Sequence, residues 1–159
     1  MHLADGTLEL RPWRETDLDA VVEAARDPYV REIEHMDDPR AWLARMVERG
    51  ESAIVVENDV VGGIAIGSWQ PRRGSLGYFV IDRFRRRGIA TRAAKLVVRS
   101  ALTEGDYIRV SAAVEPINVA SIRVLESAGM RQEGLMRSYV IYADRVGDAY
   151  LYAAVRGDL

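Results

Sequence analysis

The chain has 159 residues, 48% of them hydrophobic and 29% charged, with a formal net charge of −2. This composition fits one folded domain with a sizeable core and argues against a disordered chain or a nucleic-acid binder of general basic character. There is no cysteine, which excludes a disulfide framework, a thiolate metal site and a cysteine nucleophile. His2 and His35 are far apart and not in a metal-ligand spacing, so no metal is expected. The first six residues carry neither a basic segment nor an apolar core, and the apolar runs are far shorter than a membrane span; the expectation is a cytoplasmic protein without a membrane partner.

Alternation over Thr7–Trp13 predicts a first strand ending near Pro12. Thr16 or Asp17 can cap a helix with Leu18, Val21, Val22 and Ala25 on its apolar face, and Asp27-Pro28 ends it or breaks it from a short continuation. Residues 29–38 form an acidic loop or partial helix. Asp38-Pro39 opens a second helix running to Gly50. Ser52–Glu57 and Val60–Trp69 then read as a hairpin joined at Asn58-Asp59, with Gly62, Gly63 and Gly67 marking a bulge or a close backbone approach. A central strand follows over Ser75–Ile81 and a helix from Gly88 to about Leu102. Tyr107–Val114 is the next strand; strand, helix and strand make a βαβ unit, so the two strands are expected to be parallel. Asn118 is a good N-cap for a helix over Val119–Ala128, Gly129 fits its left-handed end, and Met130–Tyr142 and Val146–Arg156 form a final antiparallel pair.

The link between the central strand and its helix is Asp82-Arg-Phe-Arg-Arg-Arg-Gly-Ile-Ala-Thr91. Cations at a helix N-terminus oppose the positive end of its dipole. An anion placed there reverses the sign, because free backbone N–H groups and guanidiniums then converge on it, and Gly88 lets the backbone approach without a Cβ. The turn therefore predicts a phosphate or pyrophosphate site. It is neither a P-loop nor a dinucleotide-binding glycine motif.

Arg85-Arg86-Arg87-Gly88-Ile89-Ala90 matches the Arg/Gln-x-x-Gly-x-Gly/Ala signature of the GNAT acetyltransferase superfamily, which the order of elements also resembles from end to end. Asn118-Val-Ala-Ser121 with Leu125-Glu-Ser-Ala-Gly129-Met130, Leu76-Gly77-Tyr78 and Tyr150-Leu-Tyr152-Ala resemble the RimJ/RimL-like branch, which acetylates ribosomal-protein N-termini. The resemblance implies a single α/β (α+β) GNAT domain over residues 1–159. Its sheet is mixed, mostly antiparallel and twisted, with a central parallel pair splayed for coenzyme A and helices on both faces. It implies that Arg85, Arg86, Arg87, Gly88, Ile89, Ala90 and Thr91 bind the pyrophosphate of acetyl-coenzyme A. Phe79, Val80 and Ile81 would pair with the pantetheine arm, and one backbone N–H of this strand would polarise the acetyl carbonyl. Asn118 would bond the same arm, and Ser121 would protonate the departing thiolate.

Two positions depart from the family pattern. Leu125 stands where many relatives place an acidic tyrosine, and Ser75 where many place the glutamate base. Asp148, Glu115 and Glu34 are the other candidate bases. The acidic segment Glu32–Asp38 is a candidate for attracting a cationic amine, and Tyr139, Tyr142, Trp69 and Tyr78 for lining its groove. The expectation is an N-acetyltransferase, monomeric or homodimeric, without a metal or nucleic-acid partner. It moves acetyl from acetyl-coenzyme A to a peptide N-terminus or a small amine by direct attack in a ternary complex. The alternative is a coenzyme A-binding sensor or interaction module of the same fold without the chemistry.

Overall fold

The computed structural model describes residues 2–158. Its strands are β1 (Leu3–Asp5), β2 (Leu8–Pro12), β3 (Ser52–Val56), β4 (Asp59–Gln70), β5 (Arg73–Val80), β6 (Arg109–Val114), β7 (Arg131–Ile141) and β8 (Val146–Val155). Its helices are α1 (Leu18–Ala24), α2 (Pro28–Ile33), α3 (Pro39–Arg49), α4 (Ile89–Thr103) and α5 (Val119–Ser127). The strands form one sheet in the order β1-β2-β3-β4-β5-β6-β8-β7. The β5–β6 ladder is parallel, whereas β1–β2, β2–β3, β3–β4, β6–β8 and β8–β7 are antiparallel. Two compact units can be distinguished, one of residues 1–65 and 78–93, the other of residues 66–77 and 94–159.

In the first unit, β2 buries Leu8 and Leu10 at a period of two, while β3 is buried continuously from Ser52 to Val55. Trp13, Trp42 and Phe79 close around one another, with ring centroids 5.4 Å, 6.5 Å and 6.0 Å apart. Gly62 and Gly63 make that packing possible. A Cβ on Gly62 would lie 2.2 Å from the Phe79 carbonyl oxygen, and one on Gly63 would lie 2.7 Å from the Phe79 ring. The expected close approach is thus real at both glycines, and the β3–β4 ladder shifts register between Ile54 and Val55, with Val61 of β4 as the extra residue of the bulge. Gly67 has open space around its missing Cβ. The same unit buries an ion pair in which Arg11 donates to the two oxygens of Asp17 at 2.7 Å and 2.8 Å, while the Arg14 N–H donates to Asp17 at 2.8 Å. Burial pushes the Asp17 carboxyl up, but the bonds from Arg11 and Arg14 outweigh it and hold the group below its ordinary value.

In the second unit, β6 and β8 are covered by buried small and β-branched residues, including Val110, Ala112, Ala149 and Ala154. Tyr152 is buried, and its hydroxyl lies within hydrogen-bond reach of Glu126 Oε1 (3.2 Å) and Gln132 Oε1 (3.3 Å). The β7–β8 ladder shifts register between Met136 and Val140. Within that irregular stretch Ser138 has φ 52°, and its N–H donates to Asp148 at 2.8 Å.

The structure departs from the sequence reading at small elements. β1 is additional, too short to leave a periodic signal. The β3–β4 turn lies at Glu57-Asn58, whose φ values are 51° and 74°, one residue earlier than expected. The acidic stretch after Pro28 agrees with the partial-helix alternative: it is a helix as far as Ile33, capped by Asp27, whose carboxylate accepts from Tyr29 and Val30 N–H. Glu34, at its C-terminus, is half-buried, and its carboxyl is pushed up to about 7, first by burial and then by the negative charge of Glu51.

Replacing Asp17 by Ala leaves the Arg11 guanidinium buried without its counter-charge and should cost about 3 kcal/mol in urea unfolding; a loss below about 1 kcal/mol would contradict the pairing. Glu34 acts in the opposite pH direction. Its folded value lies above the unfolded one, so its contribution is full below about 4.5 and is lost as pH climbs through about 7. Glu34→Gln should therefore flatten the fall in unfolding free energy between pH 4.5 and 7.5, by about 2 kcal/mol. Parallel curves for the two proteins would show that Glu34 ionises freely.

Candidate functional site

β5 ends at Val80, with one further bond to β4. The Ile81 N–H donates to Val61 O at 2.9 Å, and a single 3-10 turn over Asp82–Phe84 follows. Phe84 is buried beneath this turn, with the Arg83 guanidinium 4.1 Å and the Arg87 guanidinium 5.6 Å from its ring centroid. Arg85 returns to an extended conformation, and then Arg86 (φ 62°) and Gly88 (φ 72°) both take the left-handed region. Gly88 adopts it freely; Arg86, with a Cβ, does so at a steric cost of roughly 1–2 kcal/mol. Left-handed residues in such a turn aim successive N–H groups into one concavity.

The first helical bond of α4 runs from Arg92 N–H to Gly88 O at 3.0 Å. Among the described residues, the backbone N–H groups of Arg86, Arg87, Gly88, Ile89, Ala90 and Thr91 have no protein acceptor. They combine the orphan donors of a helix start with those of the turn before it.

The arginine side chains do not all point at this space. Arg83 donates to both oxygens of Glu23, at 2.6 Å and 3.1 Å. Arg85 donates to Val80 O at 2.9 Å, to Asp82 at 3.2 Å and to Asp27 at 2.5 Å. Arg87 donates to Arg83 O at 3.3 Å. Only Arg86 of these four makes no side-chain bond within the protein, among the described residues. The expected convergence of guanidiniums is thus replaced by a division of labour: Arg83, Arg85 and Arg87 hold the turn in shape, while the N–H groups and Arg86 remain available. Asp27 serves two elements, capping α2 and receiving Arg85. Burial pushes its carboxyl up, but Arg85 and the two N–H donors prevail and keep it below its ordinary value. A hollow of about 490 Å³ adjoins this network, walled by Glu23, Asp27, Val30, Ile81 and Arg85.

Phe79, Val80 and Ile81 are buried. The parallel ladder joins Arg73 to Arg109, Gly74 to Val110 and Ser75 to Ser111, and among the described residues it goes no further, although β5 continues to Val80. In the second unit, Asn118 caps α5: its Oδ1 accepts from the Ser121 N–H at 3.0 Å, which fixes both residues on the first turn. Leu125 is core, 1% exposed, so the usual tyrosine position is filled by packing.

Glu115, three residues before Asn118, is buried. It accepts from Arg145 at 2.8 Å and from the Tyr142 hydroxyl, and Arg145 lies 3.7 Å above the Tyr142 ring. The bond from Arg145, aided by Tyr142 and opposed by burial, holds the Glu115 carboxyl below its ordinary value. Glu115 therefore stays charged and occupied, tying the β7–β8 turn to the loop before α5, where its carbonyl also accepts from the Asn118 N–H at 2.9 Å. Asp148 is likewise occupied by the Ser138 amide. Of the aromatic candidates, Tyr142 is buried in this network, Tyr78 is half-buried and Tyr139 is 53% exposed; the Trp69 side chain lies outside the described residues. Sequence reasoning missed Glu23 and Asp27 as partners of the turn. The available signal was Asp27-Pro28, which reads only as a helix boundary.

Residues 7–131 match the family model described as the acetyltransferase (GNAT) domain. The chain is 25% identical over 160 residues to the SPbeta prophage-derived uncharacterized N-acetyltransferase YokL of Bacillus subtilis, covering 94% of this chain and 90% of that protein. Its fold superposes on a GNAT-family acetyltransferase from Bacillus anthracis with a TM-score of 0.91 at 24% identity, covering 98% and 99% of the two chains. It superposes on RimL, a ribosomal-protein α-N-acetyltransferase solved with coenzyme A, with a TM-score of 0.82 at 18% identity and full coverage of both. A family match over most of the chain, a fold shared from end to end and the strand–turn–helix at Arg85–Thr91 agree: this chain belongs to the GNAT family of acetyltransferases.

Proposed function

We propose that the protein transfers acetyl from acetyl-coenzyme A to a primary amine, either a peptide N-terminus or a small molecule. The observation that carries this reading is the run of six N–H groups from Arg86 to Thr91, unsatisfied among the described residues, together with an Arg86 guanidinium likewise unpaired among them. A pyrophosphate offers many acceptor oxygens and two or more negative charges, which match this set of donors and reverse the sign of the dipole conflict. The ladder that stops at Ser75 leaves the end of β5 free for the pantetheine arm of the donor.

In the proposed reaction, the neutral amine attacks the thioester carbonyl carbon and charge gathers on the carbonyl oxygen. A backbone N–H of β5 stabilises that oxyanion. Collapse breaks the carbon–sulfur bond, Ser121 Oγ–H gives its proton to the departing sulfur and takes one back from solvent, and the amine nitrogen loses a proton to solvent. No enzyme-bound acyl group forms, in keeping with the absence of cysteine. Asn118 fixes Ser121 through its first-turn bond and reaches the pantetheine amides. Glu115 is tied to Arg145 and Tyr142, Asp148 accepts from the Ser138 N–H, and Glu34, pushed up to about 7, is the remaining candidate base; the scheme lets the acceptor enter as its free base, with positioning supplying most of the rate. Residues 1–159 act in this scheme as one acetyltransferase domain.

Calorimetry with coenzyme A should show at least tenfold weaker binding for Arg86→Glu and for Gly88→Glu, about 1.4 kcal/mol each. Unchanged affinity in both would remove the anion site. For Ser121→Ala, free-thiol release should show a fall in kcat larger than any rise in KM for acetyl-coenzyme A. The reverse pattern would make Ser121 a binding residue, and binding without thiol release on any amine would favour the sensor reading.

A further inference from the structure

The second unit contains a pocket of about 260 Å³ that the scheme above does not use. Its polar wall is built from Gln70, Arg73, Ser75, Arg109 and Ser111, and its apolar wall includes Met136 and Leu151. Arg73 and Arg109 are register partners on parallel strands, so two like charges stand side by side on one pocket. Such neighbours destabilise a sheet unless each is compensated. Arg109 is compensated, donating to Glu133 Oε1 at 2.9 Å and to its second oxygen as well. Arg73 is not. Its guanidinium reaches only the neutral Gln70 amide oxygen, at 3.1 Å, and among the described residues it has no carboxylate partner.

The turn presenting Arg73 is fixed. Ser68 Oγ lies 2.7 Å from Gln70 O and 3.0 Å from Arg73 O, bracketing the β4–β5 turn. Arg72, with φ 62°, carries its own guanidinium away to Asp106, 3.1 Å distant. One uncompensated arginine is therefore held at the mouth of a small pocket, with hydroxyls and an amide beside it and methylene-sized apolar surface behind. That combination suits a carboxylate on a short aliphatic stem, which a guanidinium can engage with two parallel bonds. The pocket also adjoins Ser75 and Ser111, where the parallel ladder ends.

We propose that this pocket receives a carboxylate of the acceptor, so that the preferred substrate is an amine with an acidic group nearby, such as a peptide N-terminus followed by Glu or Asp. The proposal rests on the acetyl-transfer reading for the identity of its ligand. Two short peptides differing only in Glu or Gln directly after the N-terminal residue are titrated into the coenzyme A-saturated protein, with the amide resonances of Arg73, Ser75 and Ser111 as readout. The Glu peptide should bind at least fivefold more tightly. Arg73→Gln should abolish that difference while leaving coenzyme A affinity as it was. Equal binding of the two peptides, no response at these resonances, or a preference that survives Arg73→Gln each overturns the proposal. Free-thiol release, measured with the same peptides, separates the two readings. An Arg73-dependent preference without thiol release keeps the carboxylate pocket and removes only the transferase; thiol release equal for both peptides does the reverse.

Discussion

The arrangement of the turn at Arg83–Thr91 depends on Arg85. One guanidinium joins the end of β5 at Val80, the 3-10 turn at Asp82 and the N-cap of α2 at Asp27. That contact spends the arginine's charge inside the protein. In exchange it holds the chain where Arg86 and Gly88 can take left-handed conformations and leave six N–H groups without acceptors among the described residues. In the proposed reading the turn is an anion site made chiefly of backbone, with side-chain charge used to hold its shape. A backbone site of this kind is preorganised, because its donors need no rotamer search before binding.

A second network does similar work around α5. Glu115, Tyr142 and Arg145 clamp the β7–β8 turn to the segment leading into Asn118, and Asn118 in turn fixes Ser121. Gly147 belongs to this clamp, since a Cβ there would stand 3.0 Å from Glu115 Oε1. A buried carboxylate that looked like a candidate base is better understood as a tether. Its depressed ionisation follows from the cation it holds, which is the reverse of what proton abstraction near neutrality needs. Glu34, by contrast, has a raised carboxyl, first because it is buried and then because it faces Glu51. This also reduces the negative charge that the acidic segment Glu32–Asp38 presents near neutral pH.

Most elements were legible because their signals are local. Asn118 three residues ahead of Ser121, Gly129 at φ 84°, and Asp38-Pro39 before Trp42 and Leu43 each declare a helix end in a few residues. The βαβ pattern from Ser75 to Val114 corresponds to the parallel β5–β6 ladder. The close approach at Gly62 and Gly63 was legible as a glycine pair, though its partner, Phe79, was not. What stayed hidden were the long-range pairings: Arg83 with Glu23, Arg85 with Asp27, Arg145 with Glu115. Sequence separation gives no guide to which of many carboxylates an arginine will meet. For that reason the three arginines together looked like ligands, when two of them are struts.

The central claim is that backbone N–H groups, more than guanidiniums, make the anion site. Titration of isotopically labelled protein with coenzyme A, followed at individual amides, tests it directly. The account predicts that the amide protons of Arg86 to Thr91 move downfield together, saturating at one ligand concentration and becoming protected from solvent exchange. Binding that leaves these six amides unmoved, with changes confined to arginine side-chain resonances, would contradict it.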